Sequence, residues 1–193
     1  VDSIWPVVGD ALTYVVGQDI TVASGATLTV ASGVELYWSY AGNDLFVDGT
    51  LVVDRASFRG TSDEYPEIRI RGGGLGQIQS SSFDFRSYLY AETGGRLELT
   101  GVAMNGGGVV QFDVGSEGVV TGSDLGGGIM YVSDSAVRLS GSSMDRLSLV
   151  HGAEPTVSRL TLTGSAPLYS HAGYLPTLLA NATFDHGGSA QRI

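Results

Sequence analysis

The sequence predicts an all-β protein, a single-stranded right-handed parallel β-helix of about eight coils. Three observations point there. Period-2 alternation of apolar and polar residues, as from Thr21 to Val30, is the rule, and no stretch sustains apolar residues at i, i+3, i+4 and i+7. Similar units recur at spacings of 18 to 27 residues with no helix-length segment between their strands, which rules out βαβ units. Glycine reaches 29 of 193 residues without a Gly-X-Y period and with β-formers interleaved throughout, so neither collagen nor low-complexity disorder fits.

The length suffices for one buried core, so a single domain is expected, with residues 1–18 as an N-terminal cap segment and 19–193 as the solenoid. The cap segment carries Ile4, Trp5, Val7, Val8, Tyr14, Val15 and Val16. A solenoid must shield its terminal coil from water and from edge pairing, which is what an apolar lead-in would do.

From residue 19 each unit opens with a short alternating strand, turns at small or polar residues, and runs into an apolar-x-apolar pair. These pairs are Leu28 and Val30, Leu51 and Val53, Ile78 and Ser80, Leu97 and Leu99, Gly118 and Val120, Val137 and Leu139, with looser matches at Val157 and Leu178. A third apolar position closes the unit, at Leu36, Phe58, Phe85, Met104, Leu125, Met144, Leu162 and Phe184. Stacked at about 4.8 Å per coil, eight units make a rod of roughly 40 Å. Coils of unequal length and the insertion from Gly60 to Pro66 do not suit the strict six-residue beat of left-handed helices, and a β-sandwich would lack similarity over eight units. The Gly-Gly-Gly runs at 72–74, 106–108 and 126–128 lack the helix and Lys of a phosphate cradle and suit corners that need φ > 0.

The chain after Phe184 shows no amphipathic helix, charged edge strand or proline, so the last coil, around Leu178, Leu179, Ala182 and Phe184, is expected to present unpaired backbone groups. Another chain can satisfy such groups by strand addition, and a head-to-tail contact that does not close generates a fibre. The expected partner is therefore a second copy, with Ile4, Trp5, Val7, Val8, Tyr14 and Val15 docking onto Leu178, Leu179, Ala182 and Phe184.

The opening IWPVVGDALTYVVGQDITVASGATLTVASGVELYW, followed by LFVDGTLVV, resembles the N-terminal segment and first coils of secreted right-handed parallel β-helix repeat proteins, the pectin-lyase-like superfold of bacterial or archaeal cell surfaces. Val22 to Val30 matches the V-x-x-G-x-T-L-x-V stretch that begins the helix in such proteins, and Val47 to Leu51 the V-D-G-T-L that begins the next coil. The resemblance implies the fold and a secreted or cell-surface location; the opening VDSIWPVVGD, with no initiator Met, basic n-region or apolar h-region, fits a signal peptide already removed and equally an arbitrary boundary of the chain. It does not select a function, because the superfold carries lyases, hydrolases, adhesins, phage fibres and spacers.

The formal charge is -10 and all ten basic residues are Arg, which argues against nucleic acid or an anionic membrane as partner. No apolar run is long enough for a transmembrane helix, and the absence of cysteine removes disulfides and thiolate chemistry. Acidic residues are dispersed; the one cluster, Asp63, Glu64 and Glu67, reads as a solvated loop rather than a Ca²⁺ site. Aligning Val137 with Val157 places Asp134 one coil from Glu154 and Tyr131 one coil from His151, but carboxylates about 5 Å apart repel each other. His151, His171 and His186 suit turns better than a metal site. Arg69 and Arg71 share a strand face beside Glu67, where they would bind a carbohydrate carboxylate or, more commonly, an acidic neighbour. Asn181 opens an N-x-T glycosylation acceptor. Thr21, Thr27 and Thr29 begin an ice-binding type of array that later coils do not continue. No catalytic residue, cofactor or metal is expected. The leading expectation is a non-enzymatic extracellular structural protein, the subunit of a filament or surface array; the alternative is a polysaccharide-binding or polysaccharide-cleaving domain working on the outer coil face.

Overall fold

A computed structural model describes residues 2–6, 12–40, 42–60, 66–153, 155–165, 168–170, 178–180, 183–186 and 189–192, with side chains except at Leu12 and from residue 178 onward. Among these residues every regular element is a strand. The strands form a parallel β-solenoid with three faces, close to the eight coils expected.

Sheet A stacks nine strands, from Ser3–Trp5 through Thr27–Val30, Thr50–Asp54 and onward to Leu178–Ala180. Sheet C stacks eight, from Ile20–Val22 to Leu168–Ser170. Between them, sheet B has a five-strand part, Leu12–Val16 to Ala103–Met104, and a four-strand part beginning at Ser143–Met144. Single parallel bridges from Asp124 to Ala103 and to Ser143 join the two parts. Each coil visits A, B and C in turn, as short strands with turn residues but no helical segments require.

Alternation along each strand points one side chain into the coil and the next to solvent. In sheet A the inward columns run Leu28, Leu51, Gly76, Leu97, Gly118, Val137 and Val30, Val53, Ile78, Leu99, Val120, Leu139, Val157. This corrects the third pair, expected at Ile78 and Ser80: glycine occupies the first inward position there, and Ser80 is a corner residue with φ of 50°. It also places Leu179, rather than Leu178, above Val157.

Glycine fits inside the coil because a large neighbour fills its space. A Cβ on Gly76 would lie 2.6 Å from Ile70 Cδ1, and one on Gly118 would lie 2.6 Å from Phe112 Cζ. Ile70 with Gly76, Ala91 with Leu97, and Phe112 with Gly118 thus trade volume across the junction of sheets C and A, a large side chain on one sheet facing a small residue on the other.

The sheet B column runs Tyr14, Leu36, Phe58, Phe83, Met104, with Met144, Leu162 and Phe184 in its upper part. Phe83 takes the place expected for Phe85, and its ring stacks on Phe58 at 4.2 Å. Phe85 is also buried, but two residues further along, where Gly60 leaves room for it to meet Trp38 at 6.2 Å.

At the corner between sheets A and B, Ser81, Ser123 and Ser142 are buried and satisfy backbone groups of neighbouring coils. Ser81 Oγ accepts from Ala56 N–H at 3.1 Å, Ser123 Oγ from Val102 N–H and Ser142 Oγ from Ser123 N–H, both at 3.2 Å. A hydroxyl serves here because a corner breaks the ladder and leaves N–H groups that burial would otherwise strand.

Candidate functional site

The N-terminal end and the outward face of sheet C concentrate the features that a coil does not need for its own stability. At the end, Ser3–Trp5 and Leu12–Val16 continue sheets A and B as the first coil, so the expected cap segment supplies strands of the solenoid. Trp5 is in register with Val30 and Tyr14 with Leu36, which turns both rings inward. They stack at 5.1 Å and are partly buried against the core, and the Tyr14 hydroxyl donates to the Pro6 carbonyl at 3.2 Å. Beside them an apolar groove of about 210 Å³ is lined by Ser3, Trp5, Ile20, Val22, Ala26 and Leu28 among others. Ile4 and Val15 alternate outward instead, at 67% and 63% exposure. Val7 and Val8 lie outside the described residues.

At the other end, Leu178–Ala180 terminates sheet A and Leu168–Ser170 terminates sheet C. Leu178 is level with Thr156, Leu179 with Val157 and Phe184 with Leu162; Asn181 and Ala182 lie outside the described residues. Sheet B departs from the expectation of an open last coil, because Ser189–Arg192 folds back antiparallel on Thr183–His186. The tail lacks the proline and charge runs that usually mark edge protection, and it protects by pairing instead.

The residues considered for catalysis or metal binding do not converge. Asp63, Glu64, Glu154 and His171 lie outside the described residues, and His186 is placed by its backbone alone. Tyr131 is level with Ser148, not His151, since this coil closes before it reaches the histidine; likewise Val157 stacks on Leu139, not Val137. His151 turns at a corner with φ of 48° and approaches Ser133 Oγ through Nδ1 at 3.3 Å. Among the described residues no three His, Asp or Glu side chains are grouped to hold a metal. The threonine array also stops: Thr27 stacks on Thr50 and then Leu75, and Thr29 on Val52 and then Gln77.

On sheet C, the central position of each strand forms a column of Thr21, Phe46, Arg69, Tyr90, Gln111, Tyr131, Ser148 and Tyr169, of which Ser148 is buried. Aromatic residues occupy every second coil and polar residues the coils between. The cations beside the column are already engaged. Arg69 donates to Glu67 at 2.6 Å and to Glu92 at 2.7 Å and lies over the Tyr90 ring at 4.5 Å. Arg71 grips Asp48 through two hydrogen bonds of 2.9 and 2.8 Å and lies over Phe46 at 4.3 Å. Burial and the neighbouring Glu67 push the Asp44 carboxyl above the ordinary aspartate range, and the same two causes raise the Tyr90 phenol. The sequence reading found Arg69, Arg71 and Tyr131 but not the column, because unequal coil lengths hide which residues share a level.

The fold and these surfaces define a parallel β-solenoid with an accessible end and a patterned aromatic face. No protein-family model, curated protein or solved structure matches the chain. Among the described residues no helix is long and apolar enough to cross a membrane.

Proposed function

We propose that this chain is a non-enzymatic structural β-solenoid of extracellular or cell-surface type, related to the secreted pectin-lyase-like repeat proteins that its opening resembles, whose rods join end to end. The observation that carries this reading is the first coil. Its inward rings, Trp5 and Tyr14, are only partly buried beside an apolar groove, and its strands are the edge strands of all three sheets. A further parallel strand on such an edge gains main-chain hydrogen bonds, while the groove and rings gain about 25 cal/mol for each Å² of apolar surface removed from water. The last strands of sheets A and C in a second copy have the matching direction, whereas the antiparallel strand Ser189–Arg192 leaves sheet B outside the joint.

The test is light scattering after size exclusion, with negative-stain electron microscopy, on the chain and on Trp5→Lys and Tyr14→Lys over a wide concentration range. Thin unbranched fibres that grow with concentration are expected from the parent chain and single short rods from both variants. Single rods from the parent chain at every concentration, or fibres that persist with a charge at either ring, would overturn the proposal.

A further inference from the structure

The last coil is built unlike the others. Earlier coils run from sheet A through sheet B into sheet C, but after Leu178–Ala180 in sheet A and Thr183–His186 in sheet B the chain turns back, and Ser189–Arg192 pairs antiparallel with Thr183–His186. Among the described residues sheet C therefore ends one coil early, at Leu168–Ser170, which belongs to the coil of Thr156–Ser158 and Thr161–Leu162.

The consequence for joining is one of levels. Ser3–Trp5 and Leu12–Val16 share a coil, since they pair with Thr27–Val30 and Val34–Trp38 of the next. When a second copy lays its Ser3–Trp5 on Leu178–Ala180, its Leu12–Val16 arrives over Thr183–His186, on the edge that Ser189–Arg192 already occupies. The same copy brings Ile20–Val22 above a position in sheet C that no described strand fills. The fold-back thus blocks one sheet of the joint and leaves another one strand short.

A single movement removes both faults. In the coil of Met104 the sheet C strand Gly108–Phe112 begins four residues after that closing residue, and Ser189–Arg192 begins five residues after Phe184, the closing residue of the last coil. Carried on in the direction of every earlier coil, Ser189–Arg192 reaches the vacant place beside Leu168–Ser170 and frees the edge of Thr183–His186. The fold-back is a pairing of four residues without strong β-formers, which a longer incoming strand can displace.

We infer that Ser189–Arg192 is a two-position strand that controls the C-terminal end: folded back on sheet B it closes the end, and run on into sheet C it completes the last coil and opens all three sheets to a second copy. This inference rests on end-to-end joining and adds its control, because a docking copy pairs only with the edges of the open position and so shifts the strand toward it.

The chain has no cysteine, so a disulfide can hold the fold-back without competing thiols. Asp185 and Ala190 stand opposite each other in the antiparallel pair, where Cα separations suit a disulfide. In the double variant Asp185→Cys with Ala190→Cys, the pair should oxidise within single rods. The oxidised variant should then need at least about tenfold more protein than the parent chain before light scattering and negative-stain microscopy detect fibres, and dithiothreitol should restore the parent's onset. Oxidant added to fibres grown from the reduced variant should leave both thiols free, since positions 185 and 190 then lie in different sheets. The inference alone is overturned, with joining intact, by fibres from the oxidised variant at the parent's onset, by an onset that reduction does not restore, by a pair that oxidises as readily in fibres as in rods, or by a pair that does not oxidise in single rods whose circular dichroism shows an intact fold. A parent chain that stays as single rods at every concentration overturns joining itself and this inference with it.

Discussion

Phe112 and Gly118 should behave as one packing unit. Phe112 is fully buried in sheet C between Ala91 and Val132, and its ring occupies the space that a side chain at Gly118 would need. Phe112→Ala alone opens a cavity and should cost about 3 to 5 kcal/mol. Gly118→Leu alone drives a side chain into the ring and should cost about 1 to 3 kcal/mol or more. Together they rebuild the neighbouring arrangement of Ala91 with Leu97, one coil away, and Gly118 has no left-handed φ to penalise the new residue. The double variant should therefore be more stable than Phe112→Ala, with a favourable coupling of at least about 2 kcal/mol, near the upper part of the range for residues in contact. Urea unfolding followed by circular dichroism measures all four proteins, and constant m-values license the comparison. Costs that add to within about 0.5 kcal/mol would refute the volume exchange.

Two further outcomes follow from the corner serines and from Asp44. Ser123→Ala removes the acceptor of the Val102 N–H in a buried corner and should cost about 1 to 3 kcal/mol by urea unfolding, whereas the same change at the exposed Ser24 should cost almost nothing; equal effects would refute the role of the hydroxyl. Asp44 holds its proton more tightly when folded than when unfolded, owing first to burial and then to Glu67, so its contribution favours the fold at acid pH and is lost as pH rises from the ordinary aspartate value through the raised one. Asp44→Asn should raise the urea midpoint at neutral pH and change it little below the carboxylate range, where Asp44 is itself neutral; the same gain in both conditions would refute the assignment.

The solenoid itself was legible because burial on one face imposes a period of 2 and the corners impose small residues, and both patterns survive changes of coil length. The closing column was found at seven of its positions from apolar residues alone, and failed at Phe83, where the equally apolar Phe85 lies two residues on and is also buried. The Ile78 pair was displaced because Gly76 is inward without being apolar: its space is filled by Ile70, a residue of the preceding coil. Levels on sheet C were the least legible. A level depends on the summed lengths of three strands and three corners, and an error of a few residues moves Tyr131 from Ser148 to His151. The antiparallel closure by Ser189–Arg192 left no sequence mark, since its residues are neither strongly β-forming nor apolar.

Once levels are known, the columns separate residues that serve the coil from residues that do not. Inside, like stacks on like: Leu28 on Leu51, then Val30, Val53, Ile78 and Leu99 in a second line. The exposed ion pairs follow a related rule, with Arg69 and Arg71 reaching Glu92 and Asp48 on adjacent coils. In a parallel stack, stability favours contacts between neighbouring coils, since a side chain two coils away lies beyond direct contact at about 9.5 Å. The outward column of sheet C follows the same rule with a cation in place of a second ring: Arg69 lies over Tyr90 of the next coil at 4.5 Å and Arg71 over Phe46 of the preceding one at 4.3 Å.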